Sequence, residues 1–253
     1  MILIYLFLFI IGSCFGSFIN VLADRIPRKE SIFYGNSHCD YCKKKLKPYD
    51  MVPIFSYLFL SGKCRECKKK IPVRVFIVEV LAGFLFVLLF ILSFVNWIQY
   101  ALLCGICLLA IAIALIDIDY RVISDKLLSV LGILSVVLVL GGSPNVVLHL
   151  ITAAIAFIFF LTIFLVTKGR GIGFGDVKYA LVIGFLLSPL GLVIAFYTTF
   201  LTGALISIIL ISIGKKKLKG GSIPFGPFLS LGIIVPLLFE NQILQAILPL
   251  IGV

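Results

Sequence analysis

Long apolar runs separated by short polar stretches divide this sequence into eight predicted helical spans: 1–22, 74–95, 98–116, 127–141, 146–167, 177–189, 190–213 and 223–239. Several reach the ~20 residues that an α-helix needs to cross a hydrocarbon core, and in lipid each backbone polar group must be satisfied within its own segment. Two of the eight, 127–141 and 177–189, are short. The expected fold is an all-α polytopic membrane protein of about eight transmembrane helices, with one small soluble insert after the first. The expected division is a first transmembrane helix at 1–22, a four-cysteine domain at 23–73 and a multi-helix membrane domain at 74–253.

Composition supports this reading and excludes an ordinary soluble domain, because 62% of residues are hydrophobic and only 13% are charged. The net charge of +11 could suggest a nucleic-acid partner, but its placement points to the bilayer instead. If the eight spans hold, all 22 Lys and Arg fall on one side, in 25–74, 121–126, 168–178 and 215–219, and the loops of the other side carry none. That asymmetry places the basic loops in the cytoplasm and the amino terminus outside. Omitting either short span would carry later lysines across the membrane. The first run has no positive charge before it, and Arg25, Arg28 and Lys29 follow it, so it reads as a retained span, not a cleaved signal. Gly12, Gly16 and Ser17 give that span a small-residue seam suited to close helix packing.

Two Cys-x-x-Cys turns, Cys39-Asp40-Tyr41-Cys42 and Cys64-Arg65-Glu66-Cys67, lie in the insert. Paired turns of this kind present four thiolates tetrahedrally, and on a cytoplasmic loop zinc suits them better than disulfides do. Lys43 to Lys45 and Lys68 to Lys70 flank the turns and favour thiolates. They also serve as topology signals and contacts for anionic lipid. Cys14, Cys104 and Cys107 lie in apolar spans and read as core residues, and neither His38 nor His149 has a ligand set. Glu79, one turn inside the second span, reads as a solvated helix end, and Asn20 as a hydrogen-bonding residue near the end of the first.

The remaining chemistry rests on acids. Gly171-Ile172-Gly173-Phe174-Gly175-Asp176-Val177-Lys178 is a glycine-studded loop, open to unusual backbone conformations and close approach, that ends in a carboxylate where an apolar run begins. Asp176 alone would read as the cap of a helix starting at Val177. A second cluster, Ile116-Asp117-Ile118-Asp119-Tyr120-Arg121, also closes an apolar run. Asp117 and Asp119 point in nearly opposite directions on a helix, so only one of them can face Asp176. Asp125 reads as a helix cap or first-turn acid, and Lys215 to Lys219 as a loop anchor. Two carboxylates in hydrogen-bond reach share a proton and can work as acid and base on a peptide bond. The same acids suit the proton relay of a transporter, and spacing leaves both readings open.

The ordered motifs resemble those of the type IV prepilin leader peptidases, membrane aspartic proteases of the GxGD type. The resemblance runs through Gly16-Ser17-Phe18-Ile19-Asn20-Val21 with Arg25-Ile26-Pro27, the two cysteine turns, residues 117–125, Gly173-Phe174-Gly175-Asp176 with Lys178, and Pro224-Phe225-Gly226-Pro227. It implies Asp117 and Asp176 as the catalytic pair, with Asp119 as the alternative to Asp117. It also implies cleavage of the basic leader of prepilins or pseudopilins, after a glycine, at the cytoplasmic face of a bacterial membrane. Members with the cysteine domain also methylate the new amino terminus, usually a phenylalanine, with S-adenosylmethionine. Gly62 matches a position in the family's methylation region. Ser124 stands where many relatives have proline.

Overall fold

The computed structural model describes residues 1–32, 37–39, 41–213 and 223–251, of which 247–251 are described as helical backbone alone. The lysines expected to anchor a loop at 215–219 lie outside the described residues. Helices account for nearly all the regular structure, and the described residues contain no strand beyond two isolated bridges, His38 with Lys45 and Lys63 with Lys70. The chain forms two compact units, Met1–Ile91 and Leu92–Val253.

The first unit pairs α1 (Ile2–Arg25) with α3 (Val73–Ser93), and carries the short α2 (Phe55–Phe59) in the segment between them. The small-residue seam packs as expected. A Cβ on Gly12 would lie 2.6 Å from the Ala82 carbonyl oxygen, and one on Gly16 would lie 2.8 Å from the Ala82 Cβ. Tyr5 with Phe90 and Phe9 with Phe84 extend the contact through edge-to-face rings, and Arg74 reaches Asp24 at 2.8 Å. Gly16→Leu should therefore part α1 from α3, costing about 1–3 kcal/mol as overpacking. A lowered thermal midpoint in detergent checks it. Cys14 corrects the reading of it as a core residue, because it lies on the exposed face of α1.

The second unit contains α4 (Trp97–Tyr120), α5 (Asp125–Gly142), α6 (Val146–Val166), α7 (Phe174–Leu186), α8 (Pro189–Ser212) and α9 (Gly226–Ile251). Asn96, Asn145 and Ser188 cap α4, α6 and α8 by accepting from the Gln99, Leu148 and Gly191 amides. The α4 helix packs against α5 and α9, while α7 packs against α5, α6 and α9. The apolar face of α4 makes the core, with Ile106, Cys107, Ala110, Ala112 and Ile113 fully enclosed. Gly184 lets α7 close on α6, since a Cβ there would lie 2.6 Å from the Thr152 carbonyl oxygen. His149 bridges Ser143 and the Phe185 carbonyl, a structural role consistent with its lack of a ligand set. Just past the end of α7, the Ser188 hydroxyl donates to Glu240 of α9 beside the start of α8, where a helix dipole favours an anion.

Seven of these helices are long and apolar enough to cross a membrane, so this is a multi-pass membrane protein. The remaining predicted span, 177–189, corresponds to α7, whose 13 residues rise only about 20 Å. Its start differs from the expected one. The helix begins at Phe174 and not Val177, because Asp176 occupies the third position of the first turn and reaches back to its cap. The span expected at 223–239 starts at Gly226 and continues to Ile251.

Candidate active site and metal centre

Asp117 closes the last turn of α4, where the chain turns through Arg121 in the left-handed region at φ 57°. Asp176 sits in the first turn of α7. Both carboxylates are buried, 6% and 7% exposed, and Asp117 is among the charges that act on Asp176. Asp119 points the other way and is exposed, as the two-residue spacing requires. Asp125 is the first residue of α5 after Ser124, a first-turn acid and not the cap, and its carboxylate accepts from Lys178 at 2.9 Å. That bond ties the lysine of the glycine motif to the first turn of α5.

Each buried acid is held by a glycine amide. The Gly173 N–H donates to Asp176 Oδ2 at 2.8 Å, and the Gly226 N–H donates to Asp117 Oδ2 at 2.7 Å. The first amides of a helix have no partner inside it, so a carboxylate satisfies them and is in turn stabilised by the dipole. Among the described residues neither Oδ1 is given a protein donor, which leaves one oxygen of each acid for water or a peptide.

Gly226 was the least expected part of this arrangement. In the sequence Pro224-Phe225-Gly226-Pro227 stands out only as one of the motifs that carry the family resemblance. In the structure a Cβ at Gly226 would lie 2.8 Å from Asp117 Oδ2 and 2.9 Å from its Cβ, so the acid occupies the space a side chain would need. Gly226→Ala should push Asp117 aside. A misplacement of this size costs about 10²-fold in rate when the displaced group is catalytic. Comparison of cleavage rates at equal folded protein checks it. The glycines at 171, 173 and 175 are not explained by left-handed backbone, since among the described residues the positive φ values at glycine are at Gly62 and Gly169. Gly175 is explained by closeness, its missing Cβ facing Ile123 at 3.1 Å.

Buried polar contacts fix the helices that carry the two acids. The Ser230 hydroxyl donates to the Ala110 carbonyl at 2.8 Å and lies 3.0 Å from the Tyr179 hydroxyl. These residues stand on α9, α4 and α7, one or two turns from Gly226, Asp117 and Asp176. Their signal in the sequence is slight, a Ser and a Tyr inside apolar runs.

In the first unit, the Sγ atoms of Cys39, Cys42, Cys64 and Cys67 all lie within 4.8 Å of one another. The 3.8 Å between Cys39 and Cys67 equals the edge of a tetrahedron with metal–sulfur bonds of about 2.3 Å. The two turns have the same backbone form. Cys39 donates to the Lys44 carbonyl and accepts from the Lys43 amide, and Cys64 does the same with Lys69 and Lys68. Lys43 and Lys68 are both left-handed. Backbone amides of Cys67 and then Glu66 pull the Cys64 thiol down to about 7, favouring the thiolate a metal needs. Lys44 with Glu66 and Arg65 with Asp50 tie the two turns and the preceding segment together. The four cysteines therefore have the geometry of a metal site.

Gly62 lies in the turn before Cys64, at φ +66°, and a Cβ there would meet the Tyr57 hydroxyl at 2.8 Å. Its need for glycine is thus explained by the turn. Glu79 corrects the expectation of a solvated helix end. It is 4% exposed, has the Ser17 hydroxyl as a neighbour, and accepts from the Ile54 amide at 2.7 Å. Ile54 has φ 63°, a conformation costing a β-branched residue on the order of 1–3 kcal/mol, so the bond to Glu79 holds a strained turn in place.

Comparison with known proteins places these features. Residues 10–93 match the bacterial peptidase A24 N-terminal domain, and residues 102–208 match the type IV leader peptidase family. The prepilin leader peptidase/N-methyltransferase of Bacillus subtilis (strain 168) is 32% identical over 239 residues, covering 94% of this chain and 95% of the relative. The proteins of that name from Pseudomonas aeruginosa and Legionella pneumophila are each 27% identical, covering 96% and 95% of this chain and 93% of each relative. No solved structure matches significantly. With similarity along nearly its whole length to proteins of that description, the chain belongs to the type IV leader peptidase family.

Proposed function

We propose that this protein cleaves the basic leader from prepilins or pseudopilins, after a glycine, at the cytoplasmic face of a bacterial membrane, and then methylates the new amino terminus. Asp117 and Asp176 are its catalytic pair. The observation that carries this is two buried carboxylates on α4 and α7, the charge of Asp117 acting on Asp176, each anchored through one oxygen by a glycine amide. Two such acids cannot both ionise cheaply, so they share one proton. The ionised acid takes a proton from a water as that water attacks the scissile carbonyl, and its protonated partner donates to the carbonyl oxygen and then to the leaving amine. The anchoring amides hold the free oxygens toward water and peptide, and the substrate's own apolar helix keeps the junction at the bilayer. Nothing in the comparisons supports the transporter alternative.

The cysteine site would hold zinc through Cys39, Cys42, Cys64 and Cys67, ordering residues 23–73 as the domain for methyl transfer. S-adenosylmethionine supplies the methyl group when bound. The basic loops keep these regions cytoplasmic, with the amino terminus outside. The experiment adds purified protein and S-adenosylmethionine to a pilin-like precursor with a Gly-Phe junction, followed by mass. Shortening at that junction and then a methyl gain are expected, and a precursor left whole would refute the reading.

A further inference from the structure

Peptide cleavage leaves one buried acid unused. Glu79 lies six residues into α3, roughly 9 Å from its start, and among the described residues no cationic side chain neutralises it. An ionisable group at such a place is a functional site by default, because its burial is otherwise costly. Its surroundings are rich in acceptors. Asn20, on the facing part of α1, is 5% exposed and spends its Nδ2 on the Gly16 and Val75 carbonyls, the latter one turn from Glu79. The Asn20 Oδ1 is buried and has no hydrogen-bond partner among the described residues. In this seam Glu79 meets only neutral donors, the Ile54 amide and the Ser17 hydroxyl, while the Arg74 guanidinium pairs with Asp24 and the Asn20 amide oxygen stays unsatisfied.

We propose that Glu79 and Asn20 receive the primary ammonium of a newly exposed peptide amino terminus, the acceptor in methyl transfer. The proposal rests on the methyltransferase part of the function above. An ammonium brings three N–H donors and the positive charge that Glu79 otherwise lacks. In the structure the Ile54 amide stands where such a donor would bind. Ile54 is held left-handed to make that bond, in a segment whose Val52 and Phe55 side chains are exposed. An ammonium–carboxylate bond is charged on both sides and stronger than the amide–carboxylate bond it would replace, so an entering ammonium displaces the amide and lets Ile54 relax. The ammonium gives one proton to the Glu79 carboxylate. The freed nitrogen lone pair then forms a bond to the methyl carbon of the sulfonium donor, the carbon–sulfur bond breaks with its electron pair left on sulfur, and the product is a neutral thioether and a methylammonium. Glu79 returns its proton to water.

The test compares Glu79→Gln with Glu79→Ala in the full-length protein. Glutamine keeps an oxygen to accept from Ile54 but has no charge, so a purely structural Glu79 would tolerate it. Cleavage of the precursor should be unchanged in Glu79→Gln, while methylation falls about 10²-fold, as for loss of a general base. A second readout does not depend on methylation. A short apolar peptide beginning with Phe should bind the wild type more tightly with a free than with an acetylated amino terminus, by about tenfold, and Glu79→Gln should lose that preference. Wild-type methylation in Glu79→Gln with failure only in Glu79→Ala would make Glu79 a strut for the Ile54 turn and overturn the proposal. So would retention of the free-terminus preference in Glu79→Gln, or loss of S-adenosylmethionine binding with that preference intact. If the wild type cleaves without methylating, the transferase reading fails, and the peptide preference still decides whether Glu79 binds an amine.

Discussion

Asp176→Asn and Asp117→Asn should each reduce leader cleavage by about 10²–10⁴-fold, the range for removing a positioned acid or base. Stability should hardly change. An asparagine oxygen still accepts from the Gly173 or Gly226 amide, so the first turns of α7 and α9 keep their hydrogen bonds. What is lost is the ability to carry and pass a proton. Asp119→Asn serves as the internal contrast, since Asp119 is exposed on the opposite face of α4 and should leave cleavage intact. The measurement is the rate of precursor shortening, with the thermal midpoint of each variant in detergent as the check on folding. Loss of cleavage in Asp119→Asn with activity retained in Asp117→Asn would exchange the roles of those two residues.

The second large effect is expected at the cysteines. Cys64→Ser should release zinc and abolish methylation while leaving cleavage within reach of the wild type. Structural zinc in a small module is worth on the order of 10–16 kcal/mol, far more than the exposed Lys44–Glu66 pair could replace. The described residues of 23–73 contain little apolar core of their own, with Cys64 buried but Tyr41, Tyr49 and Phe59 exposed. Losing the metal should therefore make that segment sensitive to protease. The helices bearing Asp117 and Asp176 have a separate core around α4 and keep their arrangement. Zinc content, limited proteolysis and the two activity assays on one preparation check this. Zinc and methylation both unchanged in the variant would contradict it.

How much of this was legible depends on the physical signal each feature leaves in one dimension. Membrane spans are legible because lipid demands a long apolar run from each helix, and the sequence showed α4, α6 and α8 nearly to their ends. The cysteine turns were equally visible, since four ligands at fixed local spacing define a site without knowledge of the rest. The start of α7 was misplaced because Asp176 can serve as a cap or as the third residue that reaches back to one, and composition does not separate the two. Gly226 could not be recognised as the amide donor to Asp117, more than a hundred positions away in sequence, because that bond exists only once α9 packs on α4. Glu79 misled for a related reason. A charge one turn inside a helix ordinarily reaches water, and here α1 at Gly16 and Ser17 and the turn at Ile54, held in an unfavourable conformation, enclose it.

The central claim is that Asp117 and Asp176 act as one proton-sharing unit, and the rates of the single and double variants side by side test it most directly. Groups that work as a unit are not additive, because removing either already removes the joint function. Asp117→Asn, Asp176→Asn and the double variant, followed by mass over long incubations with the same precursor, should show the same residual rate. A double variant slower by the product of the two single losses, or a single variant cleaving like the wild type, would contradict it.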